Sequence, residues 1–179
     1  MKKKVLICVV AVVLVLCCAV GGTIAWLTAK TDSVTNTFTV GDINITLAES
    51  ENLDLKMVPG NTITKDPKVT VTANSEACWL FVKVEASANL DNFITYAIAD
   101  GWMELETGVY YREVDAATAK AGASYDVLTG NQVTVKETVT KEQMKALTPA
   151  NYPTLTFTAY AVQKDNINSA ADAWAKVNS

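Results

Sequence analysis

Histidine is absent from the 179-residue sequence, and glycine, proline and cysteine are scarce, at 8, 4 and 4 residues. Without histidine the chain cannot build a histidine-ligated zinc site, a Ser-His-Asp or Cys-His nucleophile system, or a histidine pH switch. The 15 basic residues fall short of the 19 acidic ones, giving a net charge of −4. This balance argues against a nucleic-acid-binding protein, which needs a basic surface to neutralise phosphates.

The first 25 residues have the three parts of a secretory signal peptide. Three lysines precede Val5–Val20, a run of sixteen residues without a charged or amide side chain. Thr23 and Ala25 fit the −3 and −1 positions, which predicts cleavage between Ala25 and Trp26. The alternative is a retained membrane anchor, since Val5–Leu27 reaches the ~20 residues that a membrane-spanning helix needs.

Removal of residues 1–25 changes the composition of the chain. Three lysines and three cysteines leave with the leader, so 12 basic residues face 19 acidic ones and the net charge becomes −7. Cys78 is then the only cysteine, and a lone cysteine cannot form an intrachain disulfide. We therefore expect residues 26–179 to form a single domain that depends on its hydrophobic core, with Cys78 buried in it.

Short alternations of apolar and polar residues recur after the leader, a pattern typical of a β-sandwich or barrel. Within this part, Cys78–Val82 is apolar on both faces, which indicates a central strand or one whose outer face is covered. The predicted strands are Val34–Val40, Ile43–Leu47, Val69–Thr72, Cys78–Glu85, Val109–Val114, Gln132–Val139 and Thr154–Gln163.

The stretch Leu90–Ile98 fits two structures. Its apolar residues match a helical stripe, but Asp100-Gly101 between two apolar runs is a strong hairpin signal. We favour a hairpin of Ile94–Ala99 with Trp102–Glu106, followed by a second turn at Thr107-Gly108.

Three short helices are predicted from capping signals. Asp115 precedes a helix that ends at Ala121 before a glycine. Thr140 and Gln143 have capping-box spacing at the start of Lys141–Leu147. Ser169 is a suitable N-cap for Ala170–Val177.

Residues with catalytic or ligand-binding chemistry are few, and we predict no catalytic residue, no metal ligand and no cofactor. Ser124 follows a glycine as in a nucleophile elbow, but Asp126 replaces the closing glycine and no histidine can activate it. Asp165–Asn168 lacks the glycine and the closing glutamate of a calcium loop, although a non-local Ca²⁺ site stays open. Four aromatic residues on predicted strands fit either the core or a carbohydrate groove: Trp79, Trp102, Tyr110 and Tyr111.

Four segments carry a resemblance to known proteins. Gly22–Thr28 (GTIAWLT) looks like the junction processed by SipW-type signal peptidases, and Thr31–Leu47 (TDSVTNTFTVGDINITL) is similar to the start of mature proteins of the TasA/camelysin family of Gram-positive bacteria. Val58–Val71 resembles the Pro-Gly turn and following strand of that family, and Thr156–Asp165 resembles the last strand of a clostridial-type branch. Leu27 stands where many members have phenylalanine.

The resemblance implies an all-β fold, a jelly-roll-like antiparallel β-sandwich with a few short helices, preceded by a cleaved signal peptide. It also implies a secreted subunit of extracellular biofilm-matrix fibres, in which residues 26–40 of one copy complete a sheet of the next. The candidate strand-donor residues are Val34, Asn36, Phe38 and Val40. The alternative is that this segment pairs only within its own subunit.

The expected partners follow from the same resemblance. They are a SipW-type signal peptidase, which would recognise Thr23, Ala25 and Trp26, and further copies of the chain; no nucleic acid is expected, and the membrane is contacted only through the uncleaved leader. The protein is expected in the extracellular matrix or at the cell surface. The other functions considered are a surface adhesin or carbohydrate-binding sandwich and, with less support, a camelysin-type metallopeptidase, which the missing histidines disfavour.

Overall fold

The computed structural model describes residues 42–50 and 56–177, and these residues are built mainly from antiparallel strands. The strands are β1 (Ile45–Ala48), β2 (Thr62–Thr64), β3 (Lys68–Val71), β4 (Cys78–Ala86), β5 (Ile94–Thr95), β6 (Met103–Glu106), β7 (Val109–Val114), β8 (Ala123–Asp126), β9 (Gln132–Val135) and β10 (Leu155–Gln163). The helices are α1 (Ala116–Ala121), α2 (Lys141–Lys145) and α3 (Ala170–Val177). The predicted all-β fold with a few short helices is confirmed.

The strands form three antiparallel sheets. Their orders are β1-β3-β8, β10-β4-β7-β6 and β2-β9-β5. The first two sheets pack face to face, because one continuous apolar core contains side chains from β1, β3, β4, β7, β8 and β10. This is the sandwich that the alternating sequence predicts.

Strand β4 lies at the centre of the four-stranded sheet and is covered on both faces. Leu80 and Val82 point into the core shared with the β1-β3-β8 sheet. Trp79 and Phe81 point to the other face, where Trp174 of α3 covers them. The prediction of a central strand from the apolar run at Cys78 is therefore confirmed, and the run is apolar on both faces because both faces are buried.

The three predicted helices begin at the predicted caps. The Asp115 carboxylate accepts a hydrogen bond from the backbone N–H of Thr118. Thr140 and Gln143 form a complete capping box at the start of α2. The Ser169 hydroxyl oxygen accepts from the N–H of Asp172, 3.1 Å away, at the start of α3. Helix α2 ends at Lys145, two residues before the predicted end.

The predicted hairpin of Ile94–Ala99 with Trp102–Glu106 is wrong. Ile94 and Thr95 pair with β9, and Ile98 forms an isolated bridge with Leu128. Trp102 precedes β6, which pairs with β7 across the Thr107-Gly108 turn. The turn at Asp100-Gly101 does exist, but the two segments that it joins do not pair with each other, and Ile98 before the turn packs against both the sandwich core and the core of the β2-β9-β5 sheet.

The structure also decides between helix and strand for the stretch Leu90–Ile98. Leu90–Asn92 form one 3-10 turn, and a short strand begins at Ile94. Both predictions for the stretch are therefore partly right.

The predicted strand Gln132–Val139 is too long. It ends at Val135, and the chain then turns, with the N–H of Val139 donating to the carbonyl of Lys136, 3.2 Å away. Val139 remains buried, which accounts for the apolar pattern that extended the prediction. Strand β8 was not predicted, since its four residues carry one large apolar side chain, Tyr125.

Candidate functional site

The site residues predicted from the sequence lie outside the described residues. These are the signal-peptidase residues Thr23, Ala25 and Trp26 and the candidate donor residues Val34, Asn36, Phe38 and Val40. Across residues 42–50 and 56–177, no helix is long and apolar enough to cross a membrane. The described part of the chain therefore informs function through its surfaces, cavities and titratable groups.

The four aromatic residues considered for a carbohydrate groove belong to the core. Trp79 and Trp102 are each only 8% exposed. Trp79 and Tyr111 pack on the face covered by α3, whereas Trp102 and Tyr110 pack on the opposite face of the sheet. Because they lie on two faces, the four rings form no common binding surface.

Arg112 is held between two aromatic rings. Its guanidinium carbon lies 5.0 Å from the ring centre of Trp102 and 4.0 Å from that of Tyr125. Partial burial lowers the pKa of Arg112. The indole N–H of Trp102 donates to the carbonyl of Asp126, 2.9 Å away, which fixes the stack against β8. The geometry is a cation–π cross-link between sheets, and the sequence gives no signal for it.

Neither candidate nucleophile has a catalytic environment. Cys78 is completely buried, and this burial raises the pKa of its thiol to about 11, so that the reactive thiolate is disfavoured. The Ser124 hydroxyl oxygen lies 2.7 Å from that of Thr70 on the neighbouring strand. This contact is a cross-strand hydrogen bond between exposed side chains.

The acidic residues of the described part are dispersed. No three or more His, Cys, Asp or Glu side chains come together there as a group that could hold a metal ion. Two carboxylates instead have structural hydrogen bonds that lower their pKa. Asp66 accepts from the hydroxyl and the backbone N–H of Ser50, and Asp115 accepts from the backbone N–H and the hydroxyl of Thr118.

An apolar cavity of about 770 Å³ lies between the β2-β9-β5 sheet, α2 and the start of β10. Its apolar lining includes Ile63, Val133, Met144, Leu147, Tyr152 and Leu155. At its edge the ammonium of Lys65 lies 2.8 Å from the Glu49 carboxylate and 5.6 Å from the ring centre of Phe157. The cavity is within the size range of ligand pockets, and its lining is mainly apolar, with Lys56, Lys65, Thr154 and Thr156 as further lining residues.

Strand β10 is an edge strand of unusual composition. It is nine residues long and contains no charged residue, no proline and no glycine. Among the described residues it pairs only with β4. Long, uncharged edges are rare in folded proteins because they pair with other chains. The composition of this strand is visible in the sequence, but its position at an edge is not.

Comparison with known proteins gave one result. The family model described as camelysin metallo-endopeptidase matches residues 1–91. No curated protein and no solved structure matches the chain. The family match covers half of the chain and includes three of the four segments that carry the resemblance. The chain belongs to the TasA/camelysin family.

Proposed function

We propose that the protein is a secreted structural protein, a subunit of extracellular matrix fibres in which residues 26–40 of one copy add a strand to the next. The observation that carries the proposal is the long, uncharged strand β10, which among the described strands pairs only with β4, in a family member whose sequence offers an alternating N-terminal segment without net charge. An added strand gains main-chain hydrogen bonds, and its alternate side chains fill pockets. Repeated head-to-tail exchange of this kind need not close and so yields filaments.

The family description raises the possibility of a metallopeptidase, and the residues of this chain do not fit one. Zinc in peptidases is held mainly by histidine with carboxylate support, and the chain has no histidine. The remaining soft ligand, Cys78, is buried with a raised pKa. The described residues also bring together no group of three potential ligands. The proposed function is therefore non-enzymatic.

Export is part of the proposal. Residues 1–25 serve as a signal peptide that a SipW-type peptidase removes after Ala25. The membrane is contacted only through the uncleaved leader, and the mature chain acts in the extracellular matrix or at the cell surface. N-terminal sequencing of the secreted protein tests this step, and a secreted chain that still begins at Met1 would contradict it.

Electron microscopy of the secreted protein tests the structural role. We expect filaments from the unchanged protein and none from a version lacking residues 26–40. Phe38→Asp and Val40→Asp should also abolish filaments, because each places a charge on the apolar face of the added strand. Thr39→Asp is the matched control, since its side chain points to the opposite face of a strand and should leave assembly intact.

Three results would contradict the proposal. Filaments that persist without residues 26–40 would reject strand donation. Monomers under all conditions together with glycan binding would favour the adhesin. Cleavage of casein that a chelator abolishes would establish the peptidase, provided that it co-purifies with the protein through successive columns.

A further inference from the structure

We propose that the apolar cavity beside α2 binds a single-chain anionic amphiphile, a molecule with one hydrocarbon chain and a carboxylate head. In this assignment the hydrocarbon chain lies against the apolar wall and the carboxylate meets the ammonium of Lys65. The site goes beyond the proposed structural role and does not depend on it. It rests on the volume of the cavity, on the exposed apolar side chains at its opening and on the charge of its lining.

The cavity is larger than the packing defects of a protein interior. Interiors are close-packed, and voids wider than a water molecule are few. This cavity has a volume of about 770 Å³, whereas ligand pockets have roughly 300–1,000 Å³. The space between the β2-β9-β5 sheet, α2 and the start of β10 is therefore large enough for a small molecule.

The wall of the cavity is formed by apolar side chains from several elements. Strands β2 and β9 contribute Ile63 and Val133, which are 6% and 5% exposed. Met144 of α2 and Leu155 of β10 are only half-buried, and they pack against the same apolar cluster. A hydrocarbon chain in the cavity would cover the apolar surface that these residues leave open, and removal of such surface from water favours binding.

Exposed apolar side chains concentrate at the opening of the cavity. Tyr152 lines the cavity and is 52% exposed, and Val58, which follows the lining residue Met57, is 41% exposed. In the part of the chain that the structure describes, Met103 is the only other large hydrophobic residue with comparable exposure. Contiguous exposed apolar surface is typical of a ligand-binding groove.

The charged residues that line the cavity are basic. They are Lys56 and Lys65, and the described lining contains no aspartate or glutamate. This contrasts with the whole sequence, in which acidic residues outnumber basic ones by 19 to 15. An apolar wall with positive charge is complementary to a ligand that joins a hydrocarbon chain to an anionic head, and it disfavours a cationic head by like-charge repulsion.

The Lys65 ammonium has donors left for a ligand. Its side chain is 16% exposed, and the ammonium lies 5.6 Å from the ring centre of Phe157, next to the lining residue Thr156. Its one hydrogen bond to a described residue goes to the Glu49 carboxylate, 2.8 Å away. An ammonium has three donors, so two remain for a ligand carboxylate. Because Glu49 shares the same charge, its neutralisation should strengthen ligand binding.

Titration of the full secreted chain with dodecanoate, below the concentration at which it forms micelles, tests the site. We expect calorimetry to show one dodecanoate per chain and the Tm to rise, because a ligand that binds only the folded state stabilises it. Dodecanol should bind about 10-fold more weakly, since it lacks the charge that meets Lys65, and dodecyltrimethylammonium should not bind. Equal binding of the three probes would overturn the proposal, because the hydrocarbon chain alone would then account for it.

Variants of the ion pair test the role of Lys65. Lys65→Met should weaken dodecanoate binding about 10-fold and leave dodecanol binding unchanged. Glu49→Gln should strengthen dodecanoate binding, a gain that misfolding cannot produce. Lys68→Met is the matched control, because Lys68 has a similar ion pair, 3.2 Å from Asp126, but does not line the cavity. Unchanged affinity in both Lys65→Met and Glu49→Gln would overturn the proposal.

The apolar wall is tested by filling it. Leu147→Trp puts a larger side chain at a lining position and should abolish dodecanoate binding. Lys145→Trp puts the same ring at an exposed position of α2 and should leave binding intact. Circular dichroism confirms that both variants are folded. Unchanged binding by Leu147→Trp would place the ligand elsewhere and overturn the proposal.

Two further results would identify a different occupant. Dodecanoate binding by a chain that lacks residues 26–40, but not by the unchanged secreted chain, would show that a segment of the protein itself fills the cavity. Binding to phosphatidylglycerol vesicles without binding of monomeric dodecanoate would show that the cavity contacts a membrane surface. Either result would overturn the proposal, while filament formation, scored separately by electron microscopy, would still decide the proposed function.

Discussion

Cys78 shows how burial alone decides the chemistry of a side chain. Its thiol lies between two packed sheets with no exposed surface, and its pKa rises from the usual 9.0 to about 11. Two pKa units reduce the thiolate population about 100-fold at any pH below both values. We expect the folded protein to resist a thiol reagent at pH 8 and to react fully with one equivalent in guanidinium chloride. Rapid labelling without denaturant would contradict the buried position.

The Asp115 carboxylate gives the α1 cap a predictable pH dependence. Because hydrogen bonds from Thr118 lower the pKa of Asp115 in the folded state, its contribution is complete above the unfolded pKa and is lost as the pH falls through the lowered value. Asp115→Ala should therefore lower the urea midpoint at pH 7 and lower it less at pH 2.5. An equal loss at both pH values would show that the ionised cap is not the cause.

A side-chain interaction can be predicted from the sequence when its partners are close together along the chain. The caps at Asp115, Thr140 and Ser169 could be predicted because each accepts a hydrogen bond from the backbone N–H three residues further along in its own helix. The stack of Arg112 between Trp102 and Tyr125 could not be, since the three residues come from separate segments that only tertiary packing brings together.

At the scale of elements, the β6–β7 hairpin depends on Gly108. Its φ of +76° is in the left-handed region, and a Cβ there would lie 2.8 Å from the Val84 carbonyl oxygen. Gly108→Ala should lower the free energy of unfolding by at least the ~1–2 kcal/mol that the backbone conformation costs, with the clash added. Gly60→Ala is the control, because its φ of +81° is similar but its nearest neighbour, at 3.4 Å, is the flexible Glu137 side chain. If both variants lose the same free energy of unfolding in a denaturant titration, the clash with Val84 does not contribute.

Helix α3 supports the four-stranded sheet from its outer face. The ring centre of Trp174 lies 5.2 Å from that of Phe81 and 5.4 Å from that of Tyr160. Its indole N–H donates to the Glu106 carboxylate, with 2.8 Å between nitrogen and oxygen. Trp174→Ala should lower the free energy of unfolding by about 3–5 kcal/mol, the usual cost of removing a buried tryptophan. A loss below 1 kcal/mol in a denaturant titration would mean that α3 is not part of the cooperative fold.

The two longest strands could be predicted from the sequence, whereas the shortest could not. Strands β4 and β10 each have nine residues, enough for periodicity to show their burial. Strand β5 has two residues, and its pairing with β9 follows from the cluster around Phe93 rather than from a local pattern. The misassigned hairpin has the same cause, because a two-residue turn signal does not specify which strand the chain meets next.

At the scale of the whole molecule, the sequence shows the local pattern of the proposed assembly segments but not their position in the fold. Neutral alternation in residues 34–40 and 155–162 can be read from the sequence. Which strand stands at an edge depends on the order of all three sheets, which no local pattern determines. The predicted donor residues lie outside the described residues and remain a prediction.

Net charge predicts how assembly responds to salt. The predicted mature chain carries −7, so copies that associate repel one another. Raising the salt concentration from 0.01 to 0.1 M shortens the screening length from about 30 Å to about 10 Å, and filament growth should accelerate. Lowering the pH from neutrality toward the isoelectric point of this acidic chain should act in the same direction, because it reduces the net negative charge. Light scattering that slows with added salt would show that attractive charge pairs drive association instead.

A strand edge has a direction, because its N–H and C=O groups follow the chain from N- to C-terminus. A filament built on the β10 edge would therefore be polar: every copy would point the same way, one tip would present an empty β10 and the other an unpaired N-terminal segment. The two tips would then differ in chemistry and in growth rate. An anchoring protein that binds only one of them would orient the whole filament relative to the cell.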